Sequence, residues 1–259
     1  MDRFILQTFA DAEAVSQAAA HEFVRCAIEA VTARGRFTVA LSGGSTPKRL
    51  YQILADPPYR DTVTWSKVHL FWGDERCVPP EHADANYLSA KDVLLPRVSI
   101  PKENVHRVPA ERPDHDAAAR EYQTEIARVF GVDPSGEPPV FDLVYLGMGP
   151  DGHTASLFPG NPALHEPRRW VVPVANAPKP PPDRLTLTRP ILNKAHEVLF
   201  LVTGADKAER VLEVLSGPPD PKRLPSQLIR PTTGQLVWYV DKAAASRLTA
   251  GIDGAEGKL

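Results

Sequence analysis

Five short runs in this chain are apolar at nearly every position: FTVAL (37–41), VHLFW (68–72), FDLVYL (141–146), EVLFLVT (197–203) and QLVWYV (235–240). A strand with one wet face alternates apolar and polar side chains, whereas a run apolar throughout must be covered on both faces. Helical spacing fills the intervals. Asp11 caps a helix in which Val15, Ala19, Phe23, Cys26, Ala30 and Val31 recur, and Gly35 ends it. Further helices fall near Pro47 and around 86–95, 115–130 and 206–215. Doubly buried strands separated by helices predict an α/β fold: an open, mostly parallel, Rossmann-like sheet covered by helices on both faces.

The 259 residues suffice for one sizeable core. A single domain over 1–259 is expected, with the tail AGIDGAEGKL frayed from about residue 250. Two proline-rich stretches, NAPKPPPDR (176–184) and GPPDPKRLPSQ (217–227), read as stiff surface loops within that domain. The remainder of the chain beyond residue 184 is too short for a core of its own. A formal charge of −2 and a pI of about 6.5 offer no surface for nucleic acid, so an anion has to be met by locally placed basic residues. Two cysteines, Cys26 and Cys77, make no disulfide framework and suit a reducing compartment. The opening MDRFILQTFADAEAV has too short an apolar stretch for a signal peptide, and no run nears the roughly 18 apolar residues that span a bilayer. A cytoplasmic monomer without membrane partners is expected.

The unusual residues sit just after the strands, where open parallel sheets bind ligands. After the first comes SGGSTP: Gly43 and Gly44 let the backbone approach a ligand, Thr46 is placed to cap a helix and Pro47 to begin it. With Ser45, this turn directs free N–H groups outward and suits a phosphate; an ordinary capped turn fits equally well. It is no Walker A loop, since no Gly-Lys-Ser/Thr follows. After the second strand comes GDERCVPPEHADANY. There Arg76 offers a planar fork for phosphate or carboxylate, and Asp74 is placed to bond a sugar hydroxyl or act as a base. A local ion pair of Arg76 with Glu75 or Glu81 is the plainer account of the same charges.

The third loop, GMGPDGHTASLFPG, matches the dinucleotide fingerprint with Gly147, Gly149 and Gly152. Such a site needs a long helix next, and Pro159 and Pro162 forbid one. DGHT is better taken as a tight turn presenting His153, with Asp151 placed to hold its tautomer. A neutral imidazole there can take a proton from water, while a histidine satisfied by the backbone of the turn fits the sequence equally well. The fourth loop, TGADKAERV, puts Lys207 in the first turn of a helix, a poor place for a cation unless an anion lies nearby, although a solvated lysine is the commoner account. Arg184, ending the first proline loop, is a further candidate. HExxH and G-x-S-x-G are both absent. The residues therefore point to an enzyme using neither metal nor cofactor, acting on a small phosphorylated molecule through water activated by histidine.

The blocks LSGGSTPKRLY, FWGDERCVPPEHADANY, LGMGPDGHTASLFPG and RLTLTRPILNKAHEVLFLVTGADKA, in that order, resemble those of the 6-phosphogluconolactonase family over residues 10 to 245. The resemblance implies a sugar-phosphate isomerase-like α/β fold and hydrolysis of 6-phospho-D-glucono-1,5-lactone. It implies His153 as general base, and substrate contacts at Gly43 through Thr46, Arg76, Lys207 and Arg184. Glucosamine-6-phosphate deaminases share an SGGSTP-like loop and a DGH turn. They typically carry Asp-Glu-Tyr where this chain has Asp74-Glu75-Arg76, which favours the lactonase. A deaminase-type isomerase and a non-catalytic sugar-phosphate sensor are the alternatives. Against a sensor stand the intact His153 and Asp151 and the lack of any basic appendage.

Overall fold

The computed structural model describes residues 3–248 and 256–258. Its strands are β1 (Arg3–Phe9), β2 (Phe37–Leu41), β3 (Val68–Trp72), β4 (Asp74–Arg76), β5 (Leu143–Leu146), β6 (Val171–Val174), β7 (Arg184–Leu187), β8 (Glu197–Val202), β9 (Gln235–Asp241) and β10 (Glu256–Lys258). Its α-helices are α1 (Ala12–Arg34), α2 (Ser45–Leu54), α3 (Tyr59–Thr62), α4 (Asn86–Val93), α5 (His115–Phe130), α6 (Arg189–Leu192) and α7 (Ala208–Ser216).

The main sheet runs β10-β1-β9-β8-β5-β2-β3, parallel except at β10, and a small antiparallel sheet runs β4-β7-β6. Register assigns the faces. Phe37, Val39 and Leu41 pair with Val68, Leu70 and Trp72, so these side chains share one face. Leu143, beside Val39, places Tyr145 on that face too. There α1 packs: Phe23 lies edge-on to Phe37, and the Tyr145 hydroxyl donates to the Ala19 carbonyl. Phe71 points the other way, toward Tyr122 and Phe130 of α5. Helices therefore cover both faces, and β2, β5 and β8 are buried along their whole length.

Connectivity creates the crevice. From β2 the chain moves outward to β3, then returns to the far side of β2 as β5. The loops leaving β2 and β5 diverge there, at a topological switch point.

Several features depart from the sequence expectations, the small sheet β4-β7-β6 among them. Strand β1 was not anticipated, because RFILQTF buries only alternate side chains such as Phe4 and Leu6 and lacks a continuous apolar run. The helix after β2 is capped by Gly44, not Thr46. Gly44 has φ 113°, a conformation glycine adopts freely, so the helix begins at Ser45 and Thr46 falls inside its first turn. Pro47 comes next there, where its missing N–H goes unneeded. Lys207 ends a short 3₁₀ turn, Ala205–Lys207, and caps α7 instead of lying within it. The stretch 176–184 connects β6 to β7 of the small sheet. Most of the tail expected to fray lies outside the described residues; within it, Glu256–Lys258 pair with β1.

Candidate active site

A cavity of about 250 Å³ opens beyond the carboxyl ends of β2, β3, β5 and β8, which are adjacent in the sheet. Gly43, Gly44, Asp74, Arg76, His153, Arg184 and Lys207 all line it. Ser45 and Thr46 do not. Ser45 is exposed at the start of α2, and the Thr46 hydroxyl bonds that of Thr203 at 2.9 Å, tying the β2 loop to the β8 loop. A larger hollow of about 950 Å³ lies elsewhere, lined by Asn193, Lys194 and Thr232 ahead of β8 and β9. None of the four strand-end loops reaches it.

His153 sits on a turn closed by hydrogen bonds from the Gly149 N–H to the His153 carbonyl and from the Gly152 N–H to the Gly149 carbonyl. Asp151 Oδ1 lies 2.5 Å from His153 Nδ1. Burial works against the Asp151 carboxylate, but the hydrogen bond and charge of His153 outweigh it and hold the group at about 2. An ionised Asp151 requires the ring proton on Nδ1, which leaves the Nε2 lone pair free to accept a proton. Phe158 packs against the ring at 4.5 Å between centroids. Gly149 is required by this contact: a Cβ there would fall 2.1 Å from Nδ1. The second proline-rich loop supports the turn from behind. The Ser226 N–H and hydroxyl both donate to the Gly152 carbonyl, and Leu224 covers Gly152.

The cations come from three segments. Arg76 and Arg184 are directly opposed across β4 and β7. Like charges in that relation repel, an arrangement that an anion between them relieves. Arg76 forms no ion pair with Glu75 or Glu81. Its Nη1 donates to the Asp84 carbonyl, and its Nε is buried without a partner. Glu75 instead accepts the backbone N–H groups of Arg76, Asn86 and Tyr87, bracing the start of α4, while burial pushes its carboxyl up to about 7. Burial, and then the neighbouring Arg76, lower the Arg184 pKa. Lys207 is paired with Asp206. Both oxygens of Asp74 are engaged, Oδ2 by the Ser156 hydroxyl at 2.6 Å and Oδ1 by Asn86 Nδ2 at 3.2 Å. That links the small sheet to the loop carrying His153.

A family model for glucosamine-6-phosphate isomerases/6-phosphogluconolactonase matches residues 10–238. The chain belongs to this family. A 6-phosphogluconolactonase of Synechocystis is 43% identical over 220 residues, 85% of this chain and 88% of that protein. A probable chloroplastic 6-phosphogluconolactonase 3 of Oryza sativa subsp. japonica is 42% identical over 244 residues, 92% of this chain and 74% of that one. The solved 6-phosphogluconolactonase of Trypanosoma cruzi superposes with a TM-score of 0.84 at 31% identity, covering 95% of this chain and 97% of that one.

Among the lining residues that the sequence reading did not single out are Ser42, Asn86 and Lys179. Ser42 ends the strand run, and its buried hydroxyl has no partner. Asn86 touches Gly43 so closely that a Cβ on the glycine would lie 1.9 Å from its Oδ1. Lys179 lies among the prolines of 176–184; a lone cation in a stiff loop was the available signal. Away from the cavity, Glu22, Cys26 and Glu197 bring ligand atoms within 4.8 Å of one another, but Arg25 pairs with both carboxylates. Both cysteines are free. No helix among the described residues is long and apolar enough to cross a membrane.

Proposed function

We infer that the chain hydrolyses 6-phospho-D-glucono-1,5-lactone to 6-phospho-D-gluconate, the second step of the oxidative pentose phosphate pathway. The observation carrying this reading is that His153, bonded to Asp151, lines the same small cavity as Arg76 and Lys207. A general base and a seat for phosphate thus share one hollow. The Synechocystis and rice relatives carry the name of this activity.

In the proposed mechanism the phosphate rests against the Gly43–Gly44 backbone, Arg76 and Lys207, which directs C1 of the lactone toward His153. Asp151 keeps the ring proton on Nδ1. Nε2 takes a proton from water as the water oxygen bonds to C1. Collapse of the tetrahedral adduct breaks the bond from C1 to the ring oxygen, and that oxygen receives the proton from Nε2. Asp74 orients the histidine loop through the bond of its Oδ2 to Ser156, and it borders the cavity within reach of a sugar hydroxyl. Ser45 and Thr46 contribute by starting α2 beside the phosphate.

The test is lactone consumption above the spontaneous rate on freshly generated substrate. His153→Ala should lower kcat about 10²- to 10⁴-fold while still binding 6-phosphogluconate. Turnover near that of the wild type would remove His153 as the base. We also propose that the protein acts as a cytoplasmic monomer, its two free cysteines suiting a reducing compartment. Sedimentation as a dimer would refute the monomer, and fractionation of cells the compartment.

A further inference from the structure

The connection between β6 and β7, residues 175–183, is a strap that brings Lys179 to the wall of the cavity. Four of its nine residues are prolines, which fix φ and leave few conformations to lose. Its neck is closed by the Ala177 N–H donating to the Pro182 carbonyl at 2.8 Å. The Cys77 N–H, just past β4, donates to the Asp183 carbonyl at 3.0 Å.

What holds the middle of the strap is Arg184. Its Nε donates to the Pro181 carbonyl at 2.7 Å, and its Nη2 reaches the carbonyls of Lys179 at 3.2 Å and Pro180 at 3.4 Å. Arg184 is only 5% exposed, so a buried guanidinium is committed largely to one short piece of backbone. The Lys179 side chain is the reverse case. It lines the cavity, and among the described residues its ammonium has no hydrogen-bond or ion-pair partner. Lys179 and Lys207, from the strap and the β8 loop, line the same cavity.

We propose that Lys179 contacts the phosphate of the substrate, and that Arg184 is a positioning residue that acts on substrate by holding the strap from which Lys179 reaches. The proposal rests on the lactonase reading for the identity of that phosphate. A buried arginine fixing three successive carbonyls restricts the swing of the intervening lysine, so a flexible ammonium becomes a directed contact. The proline content does the same from within the strap.

Two substrates separate the contact from general damage. Lys179→Met should raise KM for the phosphorylated lactone about tenfold, the scale of one charge-assisted contact, with kcat within about twofold. The kcat/KM for unphosphorylated glucono-1,5-lactone should stay unchanged, and Lys179→Arg should restore most of the KM. Arg184→Met should raise the same KM, and Lys179→Met on that background should add little, because the two act in series. If Arg184→Met does not fold, Pro180→Gly loosens the strap without touching the guanidinium, and its KM should rise less than that of Lys179→Met. A KM unchanged in Lys179→Met, or raised equally for both lactones, overturns the contact. Additive effects of Lys179→Met and Arg184→Met overturn the positioning role. Should the wild type show no lactone hydrolysis at all, the activity reading fails by itself. Calorimetric binding of 6-phosphogluconate then decides the strap: weakened in Lys179→Met supports it, unchanged refutes it.

Discussion

Replacing Gly149 by alanine isolates the geometry of the histidine. The added Cβ would lie 2.1 Å from His153 Nδ1, 2.2 Å from Cε1 and 2.6 Å from Asp151 Oδ1. The nearest of these is about 1.3 Å short of the 3.4 Å at which ordinary contact begins. Gly149 is not in the left-handed region, so alanine suits its backbone and the clash is the whole perturbation. The ring borders an open cavity and can retreat, so the fold survives with a loss of about 1–3 kcal/mol, typical of overpacking. The catalytic cost is larger. A displacement of about 1 Å at the reacting atom is worth about 10²-fold, and Asp151 must move as well. Gly149→Ala should therefore lower kcat about 100-fold, leave KM within about threefold and shift the melting temperature by only a few degrees. Lactone hydrolysis in a coupled assay, corrected for spontaneous opening, reads the first two; thermal unfolding reads the third. Full kcat in a folded variant would mean that the position of the imidazole is not what limits the reaction.

Other expectations come from single contacts. Asp151 is held at about 2 in the folded chain, below about 3.9 for a free aspartate. Its stabilisation is therefore present above pH about 4 and lost as pH falls through about 2. The melting-temperature gap between wild type and Asp151→Asn should close over that window, and a gap undiminished at pH 2 refutes the pairing. Arg76→Ala should raise KM at least tenfold with a smaller change in kcat; an unchanged KM removes Arg76 from the phosphate seat. Tyr51→Phe leaves the Ser42 N–H and carbonyl without their hydroxyl partner. Denaturant unfolding should show a loss of about 1–3 kcal/mol, and no loss would mean that the Ser42 groups find other partners.

The five runs apolar on both faces revealed β2, β3, β5, β8 and β9 of the main sheet, because double burial leaves a signal that needs no partner to interpret. Strand β1, which lies between β9 and β10, left a weaker trace, since it buries only alternate side chains such as Phe4 and Leu6. The small sheet was invisible for another reason. DER becomes a strand by pairing with RLTL across more than a hundred residues, and RLTL pairs on its other edge with VVPV beyond the proline-rich connection; none of the three is a long apolar run. At the cavity, glycines and charges just after strands marked the four loops. What could not be read was which charges are spent elsewhere. Asp74 looked like a free base and is engaged by Ser156 and Asn86. Glu75 looked like a partner for Arg76 and instead braces α4. Those outcomes depend on contacts between segments far apart in sequence.

The tripeptide Asp74-Glu75-Arg76 has a consequence for anyone altering this fold. In a strand, neighbours face opposite ways, so Asp74 and Arg76 border the hollow while Glu75 turns inward to α4. The order of the three letters is thus fixed as firmly as their identity. Exchange Glu75 with Arg76, or insert one residue ahead of them, and a guanidinium is driven toward the interior while a carboxylate confronts the anion. Composition and net charge would hardly change, yet the strand would be written backwards.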